Sequence, residues 1–275
     1  MLSLLPMRVH YVLSDILFFI IFHILHYRRR TVWVNLVTSF PERPEEELLE
    51  IERRFYHWFC DYLAETVKLM TISRKELKKR MTFKNTELID KYVNEGRSCA
   101  VYLGHYCNWE LVTSLPLWVS DKAQCGQIYH PLENKMFDKL YLKLRQRFGS
   151  VCIPMQETLR KIVGYKRENR PVVIGYISDQ VPFWWNIHHW CDFLHHDTPV
   201  LSGTERIARQ ANHVVFYLDL TRTSRGHYEA EFKLITDEPQ KMAEFEITDI
   251  YFRMLEQTIN RHPAVSYTHL RAHET

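Results

Sequence analysis

From Ser98 onward the chain alternates short apolar runs with helix-like stretches, and this alternation limits what it can fold into more than any other feature. The runs are Cys99–Leu103, 127–129, 151–153, Val172–Ile177, 214–220 and 228–235, the last with apolar and polar residues in turn. Helical periodicity covers residues 109–119, 135–148 and 157–167 between the earlier runs, and residues 203–210 and 246–260 supply further helices. Strands alternating with helices predict an α/β fold with a mostly parallel or mixed central sheet flanked by helices.

What precedes residue 98 reads as helical. Leu48, Ile51, Phe55, Phe59, Tyr62 and Val67 recur at helical spacing over residues 45–70, with charges between them, so a long amphipathic helix is expected to pack on the domain that follows. A turn-rich break, SFPERP at residues 39–44, opens it. Residues 9–27 form the one membrane-like stretch, unbroken and apolar from Ile16 to Phe22 but interrupted by Asp15, His23 and His26. It is long enough for one helical span, and a helix lying in the interface is the alternative. Arg28, Arg29 and Arg30 follow, which favours the cytoplasmic side for everything downstream. The expected division is 1–30 as membrane-associated helix with basic flank, 31–97 as helical region and 98–264 as catalytic core.

Composition removes several classes. A net charge of +3 argues against a nucleic-acid binder, although RKELKKR at residues 74–80 is either a solvated helix face or a patch for an anionic membrane or acidic partner. The six cysteines contain no CxxC pair, a pattern that fits a reducing compartment.

The chemistry concentrates in GHYCNWE, residues 104–110. Gly104 ends a buried strand, Asn108 is placed to cap the next helix, and Glu110 falls in its first turn. On one continuous helix His105 and Glu110 would stand about 140° apart, so they meet only if His105 lies in the strand-end loop. A His paired with a carboxylate is a general base able to take a proton from an alcohol, with no protein nucleophile required.

This segment resembles the first motif of the bacterial lipid A lauroyl/myristoyl acyltransferases, within the lysophospholipid acyltransferase superfamily. Further matches follow in order: YHPLEN at 129–134 with Asp138 and Arg145, SDQVP at 178–182, and TPVLSGTE at 198–205. The resemblance covers most of the chain, from the three arginines to about Ala264. It implies transfer of a fatty acyl chain from acyl carrier protein or acyl-coenzyme A to a hydroxyl of a membrane lipid, a lipid A precursor or another glycolipid or aminolipid, on the cytoplasmic face of a bacterial inner membrane. His105 would be the base and Glu110 would orient it, with no cofactor. Substrate contacts are expected from Asn108, Asn134, Arg145, Asp179, Gln180, Thr198, Gly203 and Glu205. On the residues alone, Arg145 is equally one of several exposed cations on its helix, and Asp179 and Gln180 equally a turn.

Cys107 stands where such relatives would carry Gly, and a positive φ there would strain it. It also offers a thioester nucleophile beside a His. A rival of another class comes from His188, His189, Cys191, His195 and His196, whose nitrogen and sulfur donors suit zinc but whose spacing matches no common zinc motif. Against a serine hydrolase, the chain contains no Gly-x-Ser-x-Gly elbow. The tail VSYTHLRAHET, residues 265–275, reads like a translated sequencing-library adapter, which would leave the native C-terminus missing.

Overall fold

The computed structural model describes residues 2–266. Its elements run α1 (Met7–Phe19), α2 (Arg29–Ser39), α3 (Glu45–Leu69), α4 (Arg74–Arg80), β1 (Met81–Lys84), α5 (Thr86–Asn94), β2 (Cys99–Leu103), β3 (Gln124–Tyr129), α6 (Lys135–Gln146), β4 (Val151–Pro154), α7 (Thr158–Arg167), β5 (Val172–Ile177), β6 (Trp190–Phe193), β7 (His196–Pro199), α8 (Gly203–Ala211), β8 (Val214–Ser224), β9 (His227–Thr236) and α9 (Glu246–Arg261). Seven strands form one mixed, mostly parallel sheet in the order β1-β9-β8-β2-β5-β3-β4, flanked by helices. Among the described residues, only β8 and β9 pair antiparallel within it. β2 is buried at all five positions, which is why it reads as a continuous apolar run rather than an alternation. The strand β1, from the region expected to be purely helical, pairs with β9 and so joins the same sheet.

The register of β2 on β5 places the chemistry. Leu103 lies opposite Ile177 in a parallel pairing. His105 and Asp179 each lie two residues beyond that last pair, so both leave the sheet side by side at its carboxyl edge, where α/β folds hold ligands.

Two differences from the sequence expectation bear on the site. The helix after Asn108 is a 3-10 helix, Trp109–Leu117, with Pro116 inside it. Proline has no N–H to give to an i−4 carbonyl, so a regular α-helix is not sustained there. The N-terminal helix continues past α1 through a π-helical turn, Ile20–Ile24. It lies along α3 with Met7, His10 and Ser14 buried and Val12, Ile16 and Phe19 exposed.

Val265 and Ser266, the first residues of the segment read as foreign, are buried, and the Val265 carbonyl accepts a hydrogen bond from the Cys107 N–H at 2.9 Å. The rest of that segment lies outside the described residues.

Candidate active site

Each residue of the segment 104–110 is fixed by a different part of the fold. Gly104 permits the closest approach: a Cβ there would sit 2.7 Å from Leu255 Cδ1 and 3.2 Å from Asp179 Oδ2. Asp179 therefore reaches His105 twice, accepting from the backbone N–H with Oδ2 at 2.7 Å and meeting ring Nδ1 with Oδ1 at 2.7 Å. The Trp109 ring stands edge-on to the imidazole at 5.0 Å between centroids. Tyr106 donates its hydroxyl to the carbonyls of Thr258 and His262, at 3.1 and 3.0 Å, near the end of α9.

The carboxylate that holds His105 is therefore Asp179, not Glu110, which corrects the expected His105–Glu110 pairing. Glu110, 1% exposed, takes a two-pronged ion pair from Arg145 on α6, with Nε at 2.9 Å and Nη2 at 2.5 Å. Burial weakens the charge on Arg145, but the bonds to Glu110 outweigh it and hold the guanidinium above its ordinary pKa. Its Nη1 has no hydrogen-bond partner among the described residues.

Asn108 stands at the position before the 3-10 helix but makes no side-chain cap. Its Nδ2 instead donates to Glu65 Oε2 on α3 at 2.7 Å. Glu65 also accepts from Tyr228 at 2.9 Å. Nothing in the motifs of the sequence points to Glu65. The available signal was a carboxylate inside an apolar helical stripe, three residues after Tyr62 and four before Leu69.

Cys107 does adopt positive φ, at 51°. Its thiol is fully buried, and burial pushes its pKa far up, which disfavours the thiolate that a nucleophile would need.

His105, Glu110, Arg145 and Gln180 line a cavity of about 490 Å³ whose remaining walls are largely apolar, including Val101, Leu103, Val112, Leu115, Ile177 and Leu218. Asp179 stands behind His105 rather than in the wall. The other expected contacts lie elsewhere and have structural work. Asn134 caps α6, its Oδ1 accepting from the N–H groups of Met136 and Phe137. Thr198 donates to the His196 carbonyl within the β6–β7 hairpin, and Gly203 opens α8. Buried Glu205 accepts from the N–H groups of Phe245 and Thr248 and from the Thr248 hydroxyl, tying α8 to the start of α9.

The His-rich segment does not gather its donors. His188 bonds Asn186, His189 bonds Asp249 at 2.7 Å and stacks on Phe245, and His195 lies 3.5 Å from Glu42. Among the described residues the one triplet with ligand atoms close together is Asp15, His57 and Asp61. There Asp61 is already occupied by Arg222 and Arg225, at 2.9 and 2.7 Å.

The apolar cavity and the carboxylate-held imidazole would place an apolar chain beside a group able to take a proton from a hydroxyl. The profile of the bacterial lipid A biosynthesis acyltransferases matches residues 1–272. The chain is similar to a lipid A biosynthesis acyltransferase of Haemophilus influenzae, 22% identical over 247 residues that span 88% of this chain and 76% of that protein. The chain thus belongs to the bacterial lipid A biosynthesis acyltransferase family and is an acyltransferase.

Proposed function

We propose that His105 is the general base of an acyl transfer from a thioester to a hydroxyl of a lipid A precursor. Taken as a carboxylate, Asp179 can only accept, so Nδ1–H donates to it and Nε2 keeps the lone pair for the incoming hydroxyl. The alkoxide oxygen attacks the thioester carbonyl, the tetrahedral intermediate collapses, and the thiol of acyl carrier protein or coenzyme A leaves with the proton from the imidazolium. Arg145 Nη1 is suited to the developing oxyanion, and Glu110 fixes the guanidinium for that task. The apolar cavity suits the acyl chain.

The observation that carries the proposal is the pairing of His105 with Asp179 at the edge of that cavity. A bilayer location fits the stretch Met7–Ile24, long and apolar enough to cross a membrane, with Val12, Ile16 and Phe19 turned outward. Because its other face is seated on α3, we propose that it lies in the interface of the inner membrane, with the body on the cytoplasmic side.

Purified protein incubated with acyl carrier protein or coenzyme A thioesters and a lipid A precursor, read by mass spectrometry, tests this. His105→Ala should remove transfer, and Asp179→Asn should lower it by on the order of a hundredfold or more, while both fold normally. A His105→Ala protein working near the wild-type rate sinks the proposal. Product on a different glycolipid or an aminolipid would keep the mechanism and change the acceptor.

A further inference from the structure

The N-terminal helix carries an inward face far more polar than anchoring requires. On α1, His10 and Ser14 are buried, and Ser14 donates to Asp61 at 2.8 Å. Tyr11 donates its hydroxyl to Glu65 Oε1 at 3.2 Å and accepts from Arg80 Nη1 at 3.3 Å. The Arg225 guanidinium lies over the Tyr11 ring, 4.5 Å from its centroid, and pairs with Asp15 at 2.6 Å. The β8–β9 turn makes room for this contact. Gly226 has φ +72°, and a Cβ there would fall 1.6 Å from the Tyr11 hydroxyl oxygen.

The same Glu65 holds Asn108 with its other oxygen. Asn108 lies three residues after His105 and two before Glu110, at the end of an irregular loop containing a non-glycine residue in left-handed geometry. Such a loop needs ties, because its backbone is not fixed by a ladder. Asp179 ties it at His105, the Val265 carbonyl at Cys107 and Glu65 at Asn108. Of these three, the first comes from the end of β5 and the second from the segment after α9, where the Tyr106 hydroxyl adds a side-chain hold on the Thr258 and His262 carbonyls. The third hangs on a carboxyl group shared with the N-terminal helix.

A carboxyl group 4% exposed is costly to keep. Burial drives the Glu65 pKa upward, and the bonds from Asn108 and Tyr228 only partly counter this. The hydrogen bonds from Tyr11, Asn108 and Tyr228 are what offset that cost.

We propose that Tyr11 and Glu65 are positioning residues for acyl transfer, holding the His105 loop through Asn108, so that a seated N-terminal helix is part of the active-site framework and not only an attachment to lipid. This rests on the assignment of His105 as base. A helix that served only as an anchor would affect lipid substrates alone. A helix that sets the loop affects every acceptor.

Full-length protein in detergent micelles, given lauroyl-coenzyme A and a short water-soluble alcohol, separates the two, with lipid A precursor in the same micelles as the second arm. Tyr11→Phe removes one hydroxyl and keeps the ring, so it preserves the fold. We expect kcat to fall on the order of ten- to a hundredfold on both acceptors, with KM for the thioester unchanged. Glu65→Ala should show the same split and Glu65→Gln, which still offers an oxygen to Asn108, should recover most of the rate. If Glu65→Ala does not fold, the Tyr11→Phe and Glu65→Gln comparisons still decide. An unchanged kcat for Tyr11→Phe on the soluble alcohol, or a loss confined to the lipid acceptor, overturns the proposal while leaving His105 as base. A wild-type protein inactive on lipid A precursor with both the coenzyme A and the acyl carrier protein thioester would overturn the reading of the site and this inference with it.

Discussion

At Glu110 and Arg145 the ion pair and the cavity wall are the same atoms. The carboxylate is almost wholly enclosed, with 2% of its side chain exposed against 24% for the guanidinium. Charges removed from water are tolerable only while matched, and deleting one partner strands the other. Glu110→Ala is therefore expected to cost about 3–5 kcal/mol in chemical unfolding, the usual penalty for breaking a buried pair. Adding Arg145→Met should return most of that stability, because the stranded charge goes too, while acyl transfer stays low in both proteins. A double variant no more stable than the single one would show that the pair is not the source of the loss. Arg145→Lys should not substitute, since an ammonium cannot reach both carboxylate oxygens from one planar group.

The elements most legible in sequence were those whose burial leaves a one-dimensional trace. β2 and β5 are legible with their observed bounds because strands covered on both faces are unbroken apolar runs, and α3 is legible because its apolar residues recur at helical spacing. β1 and the β6–β7 hairpin leave no such trace, being four-residue strands of mixed polarity, MTFK among them. The site was half legible for a related reason. The strand-end placement of His105 is local, but its carboxylate partner is set by the register of β2 on β5, which joins residues 74 positions apart. Spacing within one motif pointed to Glu110 instead. The N-terminal helix shows the same limit: its sequence suggests lipid on one side, and only its packing shows that Tyr11, Ser14 and Asp15 are bonded to Glu65, Asp61 and Arg225. The two faces of the helix are separable. Replacing Val12, Ile16 and Phe19 by serine, all on the exposed face, should move the protein toward the soluble fraction on membrane flotation while its melting temperature changes little, because α1 stays seated through Tyr11, Ser14 and Asp15. Unaltered flotation would remove the outer face from membrane attachment.

For the molecule as a whole, acid sensitivity follows from which groups folding encloses. His213 sits at the junction of α8 and β8, 3% exposed, and Nδ1 finds no partner among the described residues. Burial, helped by the nearby charge of Lys166, lowers its pKa from 6.5 to about 4. The folded state thus favours the neutral ring, whereas the unfolded chain takes up a proton as soon as pH drops below its ordinary value. The stability held by neutral His213 is fully present above pH 6.5 and is lost as pH falls toward about 4. Glu65 works in the opposite sense. Its raised pKa means that its contribution is complete below the ordinary carboxyl value and declines as pH rises through the shifted one. The two trends overlap in mildly acidic solution, so a single melting curve against pH would blur them. Subtraction separates them: in His213→Leu the carboxyl terms remain and only the histidine term disappears. Urea unfolding at pH 7 and at pH 4 should therefore show the wild-type protein losing about 3 kcal/mol relative to the variant across that interval, the size set by the shift in pKa. If the difference between the two proteins is the same at both values, His213 is not held neutral by the fold and acid sensitivity has another source.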